Sequence, residues 1–331
     1  MRTLLWLGTA TALTVMACAG NDPLDSAVDS PPAHMTDARW ASSDDLRIAV
    51  NAYGQPKPLL TSGSADFKPV WSKTGSMLTF FRRLQGGSEF SMWKTKLCVI
   101  KADGTGFREL TDGRYADFNP TWTRDGSNRI LFNRYAVRGS DSNDIYWISP
   151  AGSAGDEVML SDVAGRYEWV FSGLRDGRLF IDRVNFSATP ATRVKSFLLT
   201  PNPGGVGAYA EIARPTTKLW HKLSVSPSET RVAYMLDNDD NMSSYEDVVL
   251  YYADFDVATR TVSNPVAITA DDPRTIEEYP RWSADESLII YDSNRSGRYQ
   301  MYAYRLADRV TERISDGASN SQFGNFEDLP K

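Results

Sequence analysis

The feature that most constrains this chain is a repeat near 50 residues long. The segment Pro69-Val70-Trp71-Ser72-Lys73-Thr74-Gly75 returns as Pro120-Thr121-Trp122-Thr123-Arg124-Asp125-Gly126, and again as Pro280-Arg281-Trp282-Ser283-Ala284-Asp285-Glu286. Looser copies are Gly173-Leu174-Arg175-Asp176-Gly177 and Val225-Ser226-Pro227-Ser228-Glu229. Aligned on Gly75, Gly126, Gly177, Glu229 and Glu286, the spacings are 51, 51, 52 and 57 residues. Each copy runs into a β-rich stretch: Leu78–Phe81, Ile130–Phe132, Leu179–Ile181, Val232–Met235 and Leu288–Tyr291. A second motif falls between the first, as in Val99-Ile100-Lys101-Ala102-Asp103-Gly104 leading to Leu110-Thr111, and Ala49–Gly54 leading to Leu60-Thr61. Short apolar runs set off by Gly, Asp and Asn turns, with no stretch of helical periodicity, predict an all-β fold.

A period this long holds four short strands, which cannot bury both faces alone and must stack against the next unit. The spacing therefore predicts a β-propeller of four-stranded blades. In the repeat register, strands near 46–51 and 57–61 precede five full repeats, and Asp328-Leu329-Pro330 reads as the start of a further first strand. This register predicts six blades, one of them closed by both termini, with residues 36–41 as its remaining strand. Five blades is the alternative.

The Pro-x-Trp-Ser-x-x-Gly element, the apolar strand after it, the Ala-Asp-Gly turn and the Leu-Thr ending resemble the WD-like repeat of TolB-type propellers. The resemblance covers about residues 40–331. It implies an envelope protein that recognises other envelope components through its surface and channel, with a peptidoglycan-associated lipoprotein or similar assembly component as partner. TolB itself carries an extra α/β domain ahead of its propeller, for which this chain leaves no room.

The N-terminus reads as an address. Arg2 is followed by an apolar stretch through Met16. At about 13 residues it is shorter than the roughly 20 a membrane-spanning helix needs, and it has the proportions of a secretory signal. Val15-Met16-Ala17-Cys18 resembles the bacterial lipobox, with Met16 where a smaller residue is usual. This implies cleavage after residue 17 and lipidation of Cys18. Residues 18–36 then form a flexible tether reaching roughly 60 Å, and 37–331 the single propeller domain. The implied location is the outer membrane, facing the periplasm. The alternatives are a soluble periplasmic protein, cleaved after Ala19, and a surface-exposed one. The remaining cysteine, Cys98, lies in the apolar run Leu97–Ile100 and is expected to be a buried, inert thiol.

A formal charge of −6 argues against nucleic acid as partner. Within a blade the first strand lies innermost. Long insertions at Arg83–Trp93, Arg134–Asn143, Asn185–Thr192 and Asp237–Asp247 all fall on the face bearing the connections between second and third strands, which marks it as the binding face. Two residues before the Pro position, at the channel mouth on that face, stand Phe67, Phe118, Trp169, His221, Glu278 and Asp328. They read either as packing between strands or as an aromatic and acidic ring that admits a peptide segment or small ligand. Arg82, Arg83, Arg134, Arg183 and Arg295 recur after the second strand. They read as ties between blades, with Arg83 and Arg134 as secondary binding candidates.

Catalysis has little to build on. No Gly-x-Ser-x-Gly motif occurs. Of the two histidines, His34 falls in the tether, leaving His221 beside Trp220. Glu277 and Glu278 point to opposite sides of a strand. Nothing implies a cofactor. Asp237, Asp239 and Asn241 alternate oxygen ligands as a calcium loop would, but Met242 and Val248 stand where an EF-hand loop requires Gly and Glu. The sequence thus predicts a lipid-anchored, non-catalytic envelope propeller that binds another envelope protein through its long-loop face and channel mouth. The alternative is glycan or small-ligand binding, with or without lyase or hydrolase activity.

Overall fold

The computed structural model describes residues 39–326, except for 45–46, 53–54, 60–64, 85–93, 136–142, 162, 164–165, 186, 189–192, 206, 239–247, 316 and 318–320. All 24 named elements are β-strands. Among the described residues no helix is long and apolar enough to cross a membrane.

The strands form six antiparallel sets of four. The first set is built from both ends of the chain: β1 (Arg39–Asp44), β2 (Arg47–Ala52) and β3 (Gln55–Pro58) pair in order, and the last strand, β24 (Ser321–Phe326), pairs with β1. The other five follow the repeats. They are β4 (Ala65–Trp71) to β7 (Arg108–Glu109), through β5 (Met77–Arg83) and β6 (Thr95–Lys101), and β8 (Ala116–Trp122) to β11 (Val158–Met159), through β9 (Ile130–Tyr135) and β10 (Asp144–Ile148). Next come β12 (Tyr167–Gly173), β13 (Leu179–Val184), β14 (Val194–Thr200) and β15 (Ala208–Glu211), then β16 (Leu219–Val225), β17 (Arg231–Asp237), β18 (Val248–Asp256) and β19 (Thr261–Ala267). The last full set is β20 (Glu277–Trp282), β21 (Leu288–Ser293), β22 (Gln300–Arg305) and β23 (Val310–Arg313). A single parallel bridge, Thr95 to Ala116, joins the sets β4–β7 and β8–β11 into one eight-stranded sheet.

The first strands β4, β8, β12, β16 and β20 each contact the next, and β24 contacts both β20 and β4. They close a cycle around a central axis. The strand of the split set that faces the axis is therefore Ser321–Phe326, earlier than the 328–330 segment expected from sequence, and residues 327–331, Asp328 among them, lie outside the described residues. The register of β24 is Ser43 against Gln322, then a bulge, then Ala41 against Asn325. That pattern places Gln322 at the position of Phe67 in β4, which pairs with Phe81 just before its own bulge.

Among the described residues the core lies between neighbouring sets, because the apolar faces of the repeats are covered by the next sheet. One layer packs Leu174 and Phe180 of the third repeat against Trp220, Leu223 and Tyr234 of the fourth. Another packs Met235 and Leu250 against Trp282 and Tyr291. The repeated tryptophan also carries a polar tie: Trp122 Nε1 donates to the Val70 carbonyl at 3.0 Å, and Trp282 Nε1 to the Ser224 carbonyl at 3.0 Å. Each bond runs from one first strand to the preceding one. Where the third repeat has Gly173 instead, the backbone approaches so closely that a Cβ there would stand 3.2 Å from Thr123 Cα.

The tight turns after the first strands need a left-handed residue. Gly75, Gly126 and Gly177 supply it without steric cost, at φ of 64°, 86° and 85°. Glu229 and Glu286 hold the same conformation at 63° and 58°. Their carboxylates explain why glycine is not required: Glu229 Oε1 accepts from the Arg175 N–H at 2.7 Å, and Glu286 Oε1 accepts from the Ser228 N–H. Each binds the preceding repeat's turn. Trp282→Phe leaves the Ser224 carbonyl without this donor while keeping most of the apolar contact, so it is expected to lower stability by about 1–3 kcal/mol, read by chemical denaturation.

Candidate functional site

Five of the six sequence-predicted channel-mouth residues, all but Asp328, occupy equivalent places on the first strands, but the structure divides them by environment. Phe67 is half-buried and stacks on Phe81 with ring centroids 5.3 Å apart. Phe118 stacks on Tyr135 at 5.1 Å and meets the edge of Trp169 at 6.2 Å; Tyr135 in turn meets Tyr167 at 5.9 Å. Phe118, Tyr135, Tyr167 and Trp169 are all only partly covered. They form one aromatic patch across the second and third repeats. His221 and Glu278 are buried instead. Burial, reinforced by the Lys222 charge beside it, holds the His221 imidazole well below its ordinary pKa and so neutral. Glu278 is ion-paired with Lys222 of the neighbouring first strand.

The recurrent arginines have a different job from the one expected. Arg82, Arg134, Arg183 and Arg295 each tie strands within a set, where ties from one blade to the next were expected. Arg82 reaches Asp66 through Nε and Nη2 at 2.7 and 2.9 Å. Arg134 does the same to Asp117 at 2.6 and 2.9 Å and adds Glu157 at 2.9 Å. Arg183 pairs with Glu168, and Arg295 with Glu277. Each guanidinium also lies over rings of its own repeat or its edge: Phe107 at 4.6 Å, Tyr146 at 5.0 Å, Tyr209 at 4.1 Å and Tyr302 at 4.7 Å, respectively. Planar guanidinium groups suit this double duty of forked pairing and stacking. Arg134 is thus fully engaged in the structure, whereas Arg83 is exposed at the end of β5. Glu277 and Glu278 do face opposite sides, one toward Arg295 and the other toward Lys222.

Sequence reasoning missed the layer one residue further along each first strand. Lys68, Asn119, Lys222 and Tyr279 all sit at β-bulges with φ between 51° and 54°. Their side chains meet across the axis. Asn119 Nδ2 donates to the Val170 carbonyl at 2.7 Å and to Asn133 Oδ1 at 3.2 Å, while Asn119 Oδ1 accepts from Lys68 Nζ at 2.8 Å. Lys68 Nζ stands 4.2 Å from the centre of the Tyr279 ring, and Lys222 Nζ 4.3 Å from the same centre. The chain of contacts Val170–Asn119–Lys68–Tyr279–Lys222 thus touches five of the six first strands. The repeat register could have found this layer, but no shared residue type marks it.

Beneath the patch, Asp182 of β13 accepts from Ser196 Oγ at 2.5 Å, and Ser196 Oγ accepts from Trp220 Nε1 at 2.8 Å. Burial raises the Asp182 carboxyl from its ordinary 3.8 to about 7. Cys98 is buried, and desolvation pushes its thiol far above its ordinary pKa. Among the described residues no group of three or more His, Cys, Asp or Glu side chains is gathered for a metal. Of the calcium candidates, Asp237 is buried at the end of β17, and Asp239 and Asn241 lie outside the described residues. So do Cys18 and most of the four long insertions.

The sequence matches no protein-family profile and no curated protein. Solved structures are similar in fold. TolB from Acinetobacter baumannii aligns with a TM-score of 0.62 at 13% identity, over 88% of this chain and 67% of that one. Hydrazine synthase of Kuenenia stuttgartiensis aligns at 0.61 and 14% identity, over 89% of this chain and 47% of the synthase chain. A chain of a nidogen–laminin complex aligns at 0.57 and 8% identity, over 88% and 98%. This chain therefore spans about half the length of the hydrazine synthase chain. The architecture is that of a β-propeller, similar to TolB's.

Two measurements check this account of the polar groups. Arg134→Met strands Asp117 and Glu157 in the interior and is expected to destabilise the fold by about 3–5 kcal/mol in denaturant unfolding. The Asp182 proton is held by the folded chain between pH 4 and 7 but released by the unfolded one. Its contribution to stability is full below about pH 4 and lost as pH rises to 7. Asp182→Asn cannot ionise, so its stability advantage over the wild type should grow by about 2 kcal/mol between pH 5 and 8.

Proposed function

We propose that this chain is a lipid-anchored, non-catalytic envelope propeller that binds a segment of another envelope protein at the mouth of its axial channel. The observation that carries this reading is the partly covered aromatic patch of Phe118, Tyr135, Tyr167 and Trp169 beside the polar channel layer. Rings locked against one another lose little conformational entropy on binding, and aromatic anchors dominate protein interfaces. The likeness in fold to TolB supports an envelope role, and the lipobox-like Val15–Cys18 segment supports the anchor. Cys18 would be acylated, the residues after it would act as a tether, and the outer membrane facing the periplasm is the location this implies.

The test is affinity capture of the full-length chain, crosslinked in native envelopes and then solubilised, beside a Phe118→Asp/Trp169→Asp double variant of unchanged thermal stability. The expected result is a stoichiometric protein partner captured by the wild type and reduced at least tenfold with the variant. Equal capture by both, or no partner at all, overturns the binding site; in the second case a glycan or small-molecule ligand becomes the reading to pursue. Cys18→Ser should move the protein from the membrane fraction to the soluble one. Retention in the membrane would overturn the anchor.

A further inference from the structure

The register of the split set decides where the N-terminal segment joins the ring. In each repeat the first strand starts at the long-loop face and ends in a tight turn. Phe118, for example, pairs with Asn133 near the long insertion, while Trp122 pairs with Ile130 beside the turn. β24 follows the same course, so Phe326, which pairs with Trp40, lies at the level of Trp71 and Trp122. At the other end Asp44 pairs with both Ser321 and Arg47. β1 therefore begins, at Arg39, on the tight-turn face and runs toward the long-loop face. The chain before Arg39, which carries Cys18, joins the ring on the tight-turn side, and the aromatic patch lies at the opposite end of the strands. The tight-turn face is also laced together. Arg124 passes the third repeat's turn to donate to the Ser226 and Pro227 carbonyls of the fourth at 3.1 and 2.9 Å, and Arg175 donates to the same Pro227 carbonyl at 2.5 Å. These two arginines are thus engaged within the ring.

We infer that the anchored chain stands with its tight-turn face toward the membrane and its aromatic patch turned away, so that the bound segment belongs to a partner approaching from the aqueous side. The inference rests on the Cys18 anchor and the patch proposed above, and adds the direction from which that patch is reached. Length decides between this orientation and its reverse. From Cys18 to Arg39 the chain spans at most about 70 Å. A body of this size is roughly 50 Å across, and a first strand of 7 residues is roughly 23 Å long. To set the patch against the membrane, the chain would have to run outward to the rim and back along the depth of the ring, roughly 45 Å in all. Holding it so extended costs conformational entropy. With the tight-turn face toward the membrane, no such path is needed.

The test places a fluorescent donor on one introduced cysteine of the full-length lipidated chain, in vesicles of phosphatidylethanolamine and phosphatidylglycerol that carry a headgroup acceptor. Lys73→Cys marks the tight-turn face, and Ser187→Cys the connection from β13 to β14 on the long-loop face. Both side chains are exposed, and the Cys98 thiol is buried away from the label. Energy transfer should be at least twofold greater from Lys73→Cys than from Ser187→Cys. Equal transfer, or more from Ser187→Cys, overturns the inference while leaving the anchor and the patch in place. A chain that does not enter the vesicles removes the anchor, and this inference with it. A second measurement reads the partner. Deleting residues 22–33 shortens the segment between anchor and ring, and capture of the envelope partner should stay within twofold of the wild type, because the patch already faces outward. A tenfold loss at unchanged melting temperature overturns the inference. The transfer measurement needs no partner, so its outcome is separate from that of the capture experiment.

Discussion

The closure of the ring is the interaction on which the rest of this structure depends. The five repeats each have an apolar face that a neighbouring sheet covers, so an open end would leave a face such as that of Trp71, Leu78 and Phe80 against water. The pairing of β24 with β1 removes that end by using the last described strand and the first to make one sheet. Joining the two ends of the chain in one sheet makes the packing cooperative around the whole cycle. The tryptophan bonds to the preceding strand and the Glu229 and Glu286 bonds to the preceding turn repeat the same logic at smaller scale. Each fixes the angle between two sheets with a directional contact that apolar packing lacks.

With the ring fixed from outside, its centre can hold features that would be unstable in an isolated sheet. Four left-handed residues and two ammonium groups converge there. The bulges at these positions bend the first strands and re-aim one side chain in each, as β-bulges commonly do. The buried arginine–carboxylate pairs contribute at the same level of the fold by holding first strands to second strands. Their stacking on rings of the same repeat leaves the guanidinium groups little freedom to serve a ligand.

Much of this was legible in the sequence, for identifiable reasons. Pro-x-Trp recurs where a first strand bonds back to the preceding one, as at Trp122 and Trp282, and the turn residues recur because a left-handed conformation is needed after the first strand of each of the five repeats. Phe118 and Trp169 were identifiable by position for the same reason. The split set was harder. Its first strand, Gln322-Phe323-Gly324-Asn325-Phe326, has neither the proline nor the tryptophan, so Asp328-Leu329-Pro330 resembled the repeat more closely than the true strand does. The arginines were visible as a recurrence, but strand spacing alone does not say whether a long side chain turns toward its own sheet or the next.

The sequence by itself determined the class of fold, the order of strands in the five repeats and the placing of Phe67, Phe118, Trp169, His221 and Glu278 on the first strands, because these follow from local turn chemistry and a period that can be counted along the chain. Only the tertiary structure decided what those residues do. Phe118 and Trp169 remain partly open while His221 and Glu278 are buried, and Lys68, Asn119, Lys222 and Tyr279 become one layer although they lie up to 211 positions apart. Burial and pKa depend on which side chains meet across the axis. That distance is set by ring closure, a property of the whole chain that no single repeat encodes.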